Sequence, residues 1–254
     1  MNVTFSDHFS TVAAQYAASR PQYPDALLVW LATQTPARAL AWDAGCGNGQ
    51  ASVGLAAHFE QVIATDASAP QIANAEAGTN IAYAVRGETN PDLADASVDI
   101  VTVAQALHWF DRPAFYREVA RVLKPNGVLA VWTYGLSRVD PAIDAVVAAW
   151  YRGALDAYWP PERRHTETQY RDIAFPYAHL SVPAFDMAAH WTREQFVAYL
   201  RTWSAVKEYA IHAGGDALQH MLPALEGAWP GGHARPVHWP LTLLAGRGTS
   251  TQTW

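Results

Sequence analysis

A glycine-rich loop between two apolar segments constrains this chain more than any other feature of its sequence. The loop, Asp43-Ala44-Gly45-Cys46-Gly47-Asn48-Gly49, follows an apolar run at residues 39–44 and precedes a helical pattern. Because glycine has no side chain, the backbone N–H groups of such a loop can approach a ligand closely. The next apolar run ends at Asp66, about 20 residues further on, where a carboxylate can accept hydrogen bonds from both hydroxyls of a ribose. The pattern predicts a binding site for a cofactor that contains a nucleoside.

A plainer interpretation is that the glycines only form a tight turn and that Asp66 only caps the next helix. The order of strand, loop, helix, strand and acid favours the binding site.

Short apolar runs at residues 39–44, 62–65, 81–85, 98–103 and 128–134 alternate with helical segments such as residues 69–77. Such alternation is typical of a parallel sheet that is covered on both faces, so we predict an α/β fold with a doubly wound, mostly parallel sheet. Beyond residue 137 the alternation is lost, which predicts a helical cap inserted late in the sheet. Residues 237–246 again have a strand pattern, and Pro240 favours an edge position with antiparallel pairing.

These changes of pattern divide the chain into four predicted segments. Residues 1–34 form an N-terminal helical lid, and residues 35–136 form the α/β core that binds the cofactor. Residues 137–235 form a mostly helical cap and substrate region, and residues 236–254 form the returning edge strand.

Composition excludes several classes of partner. The 17 basic residues against 23 acidic residues give a net charge of -6, so nothing in the overall charge attracts a nucleic acid. The single cysteine, Cys46, excludes an intramolecular disulfide and suits a reducing compartment. The ten histidines show no metal-binding spacing, so we predict no metal. The start of the chain lacks the pattern of a secretion signal and no apolar run is long enough to span a membrane, so we expect a cytoplasmic protein.

The spacing around the glycines indicates which cofactor binds. A dinucleotide site needs glycine or alanine three positions after its second glycine, but this chain has Gln50 there. Asp43 would repel a pyrophosphate and could receive an ammonium group. The ligand should therefore carry a positive group and no phosphate, which disfavours an NAD-dependent oxidoreductase.

These residues resemble the class I methyltransferases that use S-adenosyl-L-methionine, whose first motif is an acid followed by Gly-x-Gly-x-Gly. The resemblance covers roughly residues 38–134 and includes Ala104-Gln105-Ala106-Leu107-His108-Trp109-Phe110 and Leu123-Lys124-Pro125-Asn126-Gly127. Together with Arg20-Pro21-Gln22-Tyr23-Pro24, these motifs are similar to the small-molecule subgroup of type 11 that includes trans-aconitate methyltransferase. The resemblance implies a Rossmann-like sheet of seven strands with an antiparallel edge strand. The family's usual Ala-Glu-x-Leu-Pro-Phe segment is Gly87-Glu88-Thr89-Asn90-Pro91-Asp92 here.

The same resemblance implies a set of cofactor contacts. Asp43 would hold the ammonium of the methionine end, Asp66 the ribose hydroxyls, and Glu88 the adenine amino group. Cys46 would be a small packing residue of the loop. The full predicted set is Tyr16, Arg20, Asp43, Gly45, Cys46, Gly47, Asp66, Ala67, Gly87, Glu88, Ala104 and Gln105.

His108 is the candidate at the reacting centre, because it follows the fourth predicted strand at the edge where ligands bind in such sheets. It is either a general base or a residue that positions the acceptor or closes the pocket. We predict that the acceptor contacts His108, Trp109, Tyr134 and Trp203. Eight of the eleven tryptophans follow residue 129, and most of them are expected to be packing residues of the cap.

The sequence therefore predicts an S-adenosylmethionine-dependent methyltransferase. Its acceptor is expected to be a small molecule that is methylated on a carboxylate or hydroxyl oxygen, and its assembly a monomer or homodimer. The alternatives are a regulatory protein that binds the cofactor without turnover and, less favoured, an NAD-dependent oxidoreductase.

Overall fold

The structure is a computed structural model that describes residues 19–248. Its strands are, in chain order, β1 (Leu40–Ala44), β2 (Gln61–Asp66), β3 (Ile81–Val85), β4 (Val98–Ala104), β5 (Leu123–Tyr134), β6 (Ala178–His179), β7 (Met187–Trp191), β8 (Arg235–Trp239) and β9 (Leu241–Arg247). Its helices are α1 (Asp25–Gln34), α2 (Gln50–Ala56), α3 (Ala69–Ala73), α4 (Arg112–Val122), α5 (Pro141–Arg152), α6 (Arg163–Glu167), α7 (Arg193–Leu200), α8 (Ser204–His212) and α9 (Leu222–Ala228).

Seven of the strands form one sheet, in the order β3-β2-β1-β4-β5-β9-β6. Strands β1 to β5 are parallel, whereas β9 pairs antiparallel with β5 and the two-residue β6 pairs antiparallel with β9. The predicted Rossmann-like fold with an antiparallel strand near one edge is confirmed. The strand order reverses between β1 and β4, so the carboxyl ends of these strands flank the crevice where ligands bind in open α/β sheets.

Alternating side chains of the central strands pack on opposite faces of the sheet. Trp42 and Val101 belong to a cluster that includes Phe115 of α4, whereas their neighbours Ala41 and Ile100 belong to a second cluster. The second cluster also contains apolar residues of α1 and α2. Burial on both faces is therefore why these strands have nearly continuous apolar sequences.

Contacts divide the chain into two compact units, which we describe separately. Within residues 19–248, the sheet unit comprises Gln22–Tyr134, His165–Phe185 and residues 241–248. The helical unit comprises residues 19–21, Gly135–Arg164 and Asp186–Pro240.

The predicted segments differ from these units in three places. Residues 22–34 are predicted as part of the lid, but Leu27 and Leu31 of α1 are buried in the core of the sheet unit. The sequence predicts residues 165–185 as part of the cap, but their aromatic side chains Tyr170 and Tyr177 are buried in the core of the sheet unit. The single strand predicted at residues 237–246 is two strands, because Pro240, which lacks an N–H group, separates β8 from β9. Of these two strands only β9 joins the large sheet, and β6, which pairs with β9, is the edge strand there.

The helical unit contains a two-stranded sheet of β7 and β8 and a cluster of aromatic rings. Trp150 stacks on Trp203 with 5.6 Å between ring centroids, and Tyr151 and Tyr199 meet the Trp203 ring edge to face. Most of these rings are buried, as expected for packing residues. Among residues 19–248, no helix combines the length and apolar character that crossing a membrane requires.

Candidate active site

The glycine loop connects β1 to α2 at the carboxyl edge of the sheet. Gly45, Gly47 and Gly49 have φ angles of 68°, 57° and 87°, which place all three in the left-handed region that favours glycine. A Cβ atom on Gly45 would lie 2.6 Å from Ala106 Cβ, and one on Gly49 would lie 2.1 Å from the Tyr83 hydroxyl. The structure itself therefore requires these two glycines.

Gly47 differs from the other two glycines in its surroundings. A Cβ atom on Gly47 would meet no described atom within 4 Å, so this part of the loop faces open space. Its backbone N–H group donates a hydrogen bond to Asp66 Oδ2, 2.8 Å away. The space beside Gly47 is therefore bounded by the backbone of the loop and by the carboxylate that the sequence predicts to bind a ribose.

Asp66 ends β2 and faces the loop, as the sequence predicted. Its two carboxylate oxygens accept the N–H groups of Gly47 and Ser68, each at 2.8 Å. A carboxylate has about four lone-pair sites, so hydrogen bonds from two ribose hydroxyls remain possible. The two backbone bonds orient the carboxylate for that contact.

Asp43 is completely buried at the end of β1. Ser52 Oγ donates a hydrogen bond to Asp43 Oδ2 at 2.6 Å, and Thr102 Oγ1 donates one to Oδ1 at 2.8 Å. Removal from water raises the pKa of Asp43 from 3.8 to about 6, although the two hydroxyl groups act in the opposite direction. A carboxylate that is ionised at neutral pH but poorly solvated has the chemistry expected of an ammonium partner.

Cys46 lies in the loop between these acids. Its N–H group donates to the Thr65 carbonyl at 2.9 Å, which joins the loop to the end of β2. Burial raises the pKa of the Cys46 thiol, and the nearby Asp43 and Asp66 act in the same direction. The thiol therefore stays protonated and suits packing rather than nucleophilic chemistry.

The remaining predicted cofactor contacts of the sheet unit follow the ends of its parallel strands. Ala67 comes directly after β2, Gly87 and Glu88 come just after β3, and Ala104 is the last residue of β4. Ala67 and Gly87 are exposed, while Glu88 and Ala104 are half-buried. Because parallel strands end at one edge, these residues share the edge with the glycine loop, and their contacts with the cofactor stay a prediction.

Gln105 uses its side chain within the protein. Its Oε1 atom accepts hydrogen bonds from Thr133 Oγ1 at 2.6 Å and from the Tyr134 N–H group at 3.0 Å. Its backbone has a φ of 61°, in the left-handed region that residues other than glycine rarely adopt. The side chain thus joins the end of β4 to the end of β5, so a contact with the cofactor would come from its backbone.

His108 lies in a short 3₁₀ turn after β4. The residue is 7% exposed, and its Nδ1 atom is 2.9 Å from the hydroxyl of Tyr170, a residue that is 1% exposed. Trp109, by contrast, is 56% exposed, with its ring centroid 4.8 Å from that of His108. The sheet edge therefore combines an oriented imidazole with an exposed aromatic surface.

Tyr134, the third predicted acceptor contact, is the last residue of β5 and is buried near Tyr23, with 6.5 Å between ring centroids. Trp203 and Arg20 belong to the helical unit, where Arg20 Nη2 donates to the Thr202 carbonyl at 3.3 Å. Tyr16 lies outside the described residues. The roles of all these residues stay predictions.

Sequence reasoning missed three residues that organise the site. Ser52 and Thr102 hold Asp43, and Tyr170 holds His108. Thr102 had a signal, because it is a polar residue inside the apolar run of β4. Ser52 and Tyr170 had none that pattern alone reveals. Within residues 19–248, no group of three or more histidine, cysteine or acidic side chains could hold a metal ion.

Taken together, the strand order, the glycine loop and the acid at the end of β2 define a Rossmann-like protein whose site fits an ammonium group and a ribose. A family model described as a methyltransferase domain matches residues 42–131. A protein of Dictyostelium discoideum that is named as a methyltransferase is 34% identical over 229 residues, which cover 89% of this chain and 87% of the relative. A Mycobacterium tuberculosis relative, an uncharacterized methyltransferase, is 36% identical over 126 residues, covering 49% of this chain and 51% of its own.

A solved structure from Anaeromyxobacter dehalogenans, described as a type II methyltransferase, has a TM-score of 0.83 and 45% identity. That match covers 90% of this chain and 97% of the other. The chain belongs to the class I methyltransferase family, and the predicted cofactor, S-adenosyl-L-methionine, is confirmed by this membership. Its place in the trans-aconitate-like subgroup stays a prediction.

Proposed function

We propose that this protein transfers a methyl group from S-adenosyl-L-methionine to an oxygen atom of a small molecule, either a carboxylate or a hydroxyl. The observation that carries the proposal is the buried, hydrogen-bonded His108 beside the exposed Trp109, at the same sheet edge as the glycine loop. An imidazole can accept a proton from a hydroxyl or donate a hydrogen bond to a carboxylate, and both groups present oxygen.

Residues of the sheet unit would bind the cofactor as follows. Asp43 meets the ammonium, the backbone beside Gly47 packs closely against the methionine end, and Asp66 accepts from the ribose hydroxyls. When bound, the cofactor supplies a methyl group that its positive sulfur already activates for displacement. The chain's own task is therefore to align the acceptor and to exclude water, rather than to provide a nucleophile.

His108 has one of two roles, depending on the acceptor. A hydroxyl must lose a proton, and a base within hydrogen-bond reach accelerates such transfers about 10²- to 10⁴-fold. A carboxylate is already ionised at neutral pH, so His108 would only position it. We favour the positioning role, in which the side chain touches the acceptor but gains no proton.

The first experiment is a scan of small carboxylic acids and alcohols with S-adenosyl-L-methionine, in which mass spectrometry detects the gain of one methyl group. Calorimetric titration with the cofactor, and with NAD as a comparison, separates binding from turnover. Cofactor binding without product from any acceptor would instead support the regulatory alternative.

The second experiment measures turnover against pH for the wild type and His108→Ala with the acceptor so found. We expect a modest loss that is nearly independent of pH. A titration near the histidine pKa that is present in the wild type and absent from the variant would instead show that His108 is a base. His212→Ala is the control, because that histidine is an exposed residue of α8 in the helical unit.

We further propose that the protein acts in the cytoplasm as a monomer or homodimer, without nucleic acid or membrane partners. The net charge of -6 supports the absence of a nucleic acid partner. Light scattering of the purified chain gives its mass, and a species larger than a dimer would contradict this part of the proposal.

A further inference from the structure

Tyr170 occupies an unusual backbone position for an aromatic residue. Its φ is 60° and that of Gln169 is 55°, so two consecutive residues other than glycine lie in the left-handed region. Such conformations persist only where the surrounding structure determines them, and they are concentrated at functional sites. The side chain is nevertheless buried in the core of the sheet unit, with its hydroxyl directed to His108.

The loop that carries Tyr170 is held by a compact set of hydrogen bonds. The Tyr170 N–H group donates to the His165 carbonyl at 2.8 Å, and the Ile173 N–H group donates to the Tyr170 carbonyl at 3.1 Å. Asp172 pairs with His165 Nδ1 at 2.8 Å and accepts from the Thr168 hydroxyl. The Thr168 bond, and then the His165 bond, lower the pKa of Asp172, so this carboxylate is ionised and can maintain both contacts.

The contact between Tyr170 and His108 determines which ring nitrogen carries the proton. In a neutral imidazole one nitrogen donates and the other accepts. The unprotonated imidazole nitrogen is a far stronger base than a phenol oxygen, and a phenol is a good donor. The 2.9 Å contact is therefore most stable when the Tyr170 O–H group donates to Nδ1, which leaves the proton of His108 on Nε2.

We propose that Tyr170 is a positioning residue that fixes His108 in the tautomer with the proton on Nε2. In this tautomer Nε2 donates a hydrogen bond and accepts no proton, which suits a carboxylate acceptor and not a hydroxyl that must be deprotonated. The inference rests on the proposed function, because this tautomer favours the positioning role of His108 over the role of a base. The tautomer itself is a property of the folded chain.

The test is long-range ¹H–¹⁵N NMR of the full chain, which distinguishes protonated from unprotonated imidazole nitrogens. The signals of His108 are those that disappear in His108→Gln. We expect an unprotonated Nδ1 and a protonated Nε2 in the wild type, and a changed ratio of tautomers in Tyr170→Phe.

Tyr116→Phe is the matched control. Tyr116 is also a buried tyrosine of the sheet unit, and its hydroxyl donates to the Ala174 carbonyl at 2.8 Å. The His108 signals should be unchanged in this variant. A general loss of packing would be recognised because it would change the His108 signals in both tyrosine variants.

A wild-type His108 with its proton on Nδ1 would overturn the inference without any need for the Tyr170 variant. Identical His108 signals in Tyr170→Phe and the wild type would overturn it as well. Because the spectra need no acceptor, these outcomes are separate from a failure to detect methyl transfer, which would count against the proposed function alone.

Discussion

Replacing Asp43 with asparagine should stabilise the ligand-free protein, although it removes the proposed partner of the cofactor ammonium. Asp43 is wholly buried and its pKa is raised from 3.8 to about 6, mainly by loss of solvent. Between the unfolded pKa of 3.8 and the folded pKa of about 6, Asp43 binds more protons in the folded protein than in the unfolded chain. Its contribution to the free energy of unfolding therefore falls as the pH rises from about 4 to about 6 and stays constant at higher pH. The pKa difference corresponds to a destabilisation of about 3 kcal/mol at pH 8.

The asparagine variant cannot ionise and should escape this cost. At pH 8 the variant should be more stable than the wild type by about 3 kcal/mol, or roughly 6 to 12 °C in Tm for a chain of this size. The difference should shrink towards pH 4. Thermal and urea unfolding of the ligand-free protein at pH 4.5 and pH 8 measure both values.

The control is Asp99→Asn, which changes the other wholly buried aspartate of the central strands. Asp99 lies 3.0 Å from Lys124 Nζ and accepts the N–H groups of Ala39 and Leu40, so its loss should destabilise the protein. If Asp43→Asn were as destabilising as Asp99→Asn at pH 8, the argument from solvent loss would be refuted.

Three further predictions concern the cofactor. Asp66→Ala should lower affinity more than tenfold in calorimetric titration, because charge-assisted hydrogen bonds are worth about 1.5 to 3 kcal/mol each; unchanged affinity in a folded variant would remove the ribose assignment. Gly47→Val should abolish cofactor binding and, because a branched side chain is strained at a φ of 57°, lower stability modestly while the sheet stays folded. Gly49→Val adds a clash with the Tyr83 hydroxyl and should lower stability further, and circular dichroism measured beside the titration separates the two effects. The affinity of the wild type for the cofactor should fall below about pH 6, by at most tenfold per pH unit, because Asp43 gains a proton there. An affinity that stays constant from pH 5 to pH 8 would contradict the contact between Asp43 and the ammonium group.

Local sequence determines most of the sheet. The apolar runs at residues 39–44, 62–65, 81–85 and 98–103 lie within one residue of β1 to β4 at each end. Strands buried on both faces need continuous apolar side chains, which applies to β1, β2 and β4, whereas the edge strand β3 is partly exposed. The helix predicted at residues 69–77 is shorter, since α3 ends at Ala73. At the other end of the sheet, alternation continues through Pro240, and only the missing N–H group indicates that the strand divides there.

The contacts that orient the site depend on residues distant in sequence. Tyr170 follows His108 by 62 positions and belongs to a segment without a strand pattern, so nothing local indicates that it returns to the core of the sheet unit. Asp43 was predicted from its motif, but its two hydroxyl partners come from α2 and β4. A motif can therefore predict which residue meets the ligand, while tertiary packing determines the protonation state in which that residue does so.

The two buried aspartates of the central strands differ in their partners, and the difference makes one of them suitable for a cationic ligand. At Asp99 the protein supplies its own cation, Lys124, together with two backbone N–H groups. At Asp43, at the loop edge of the same sheet, the partners among residues 19–248 are the neutral hydroxyl groups of Ser52 and Thr102. A buried carboxylate without a protein cation destabilises the ligand-free state, and a cofactor with an ammonium group would relieve that cost on binding. The same loss of solvent that raises the pKa of Asp43 therefore favours the binding of a cationic ligand over that of a phosphate.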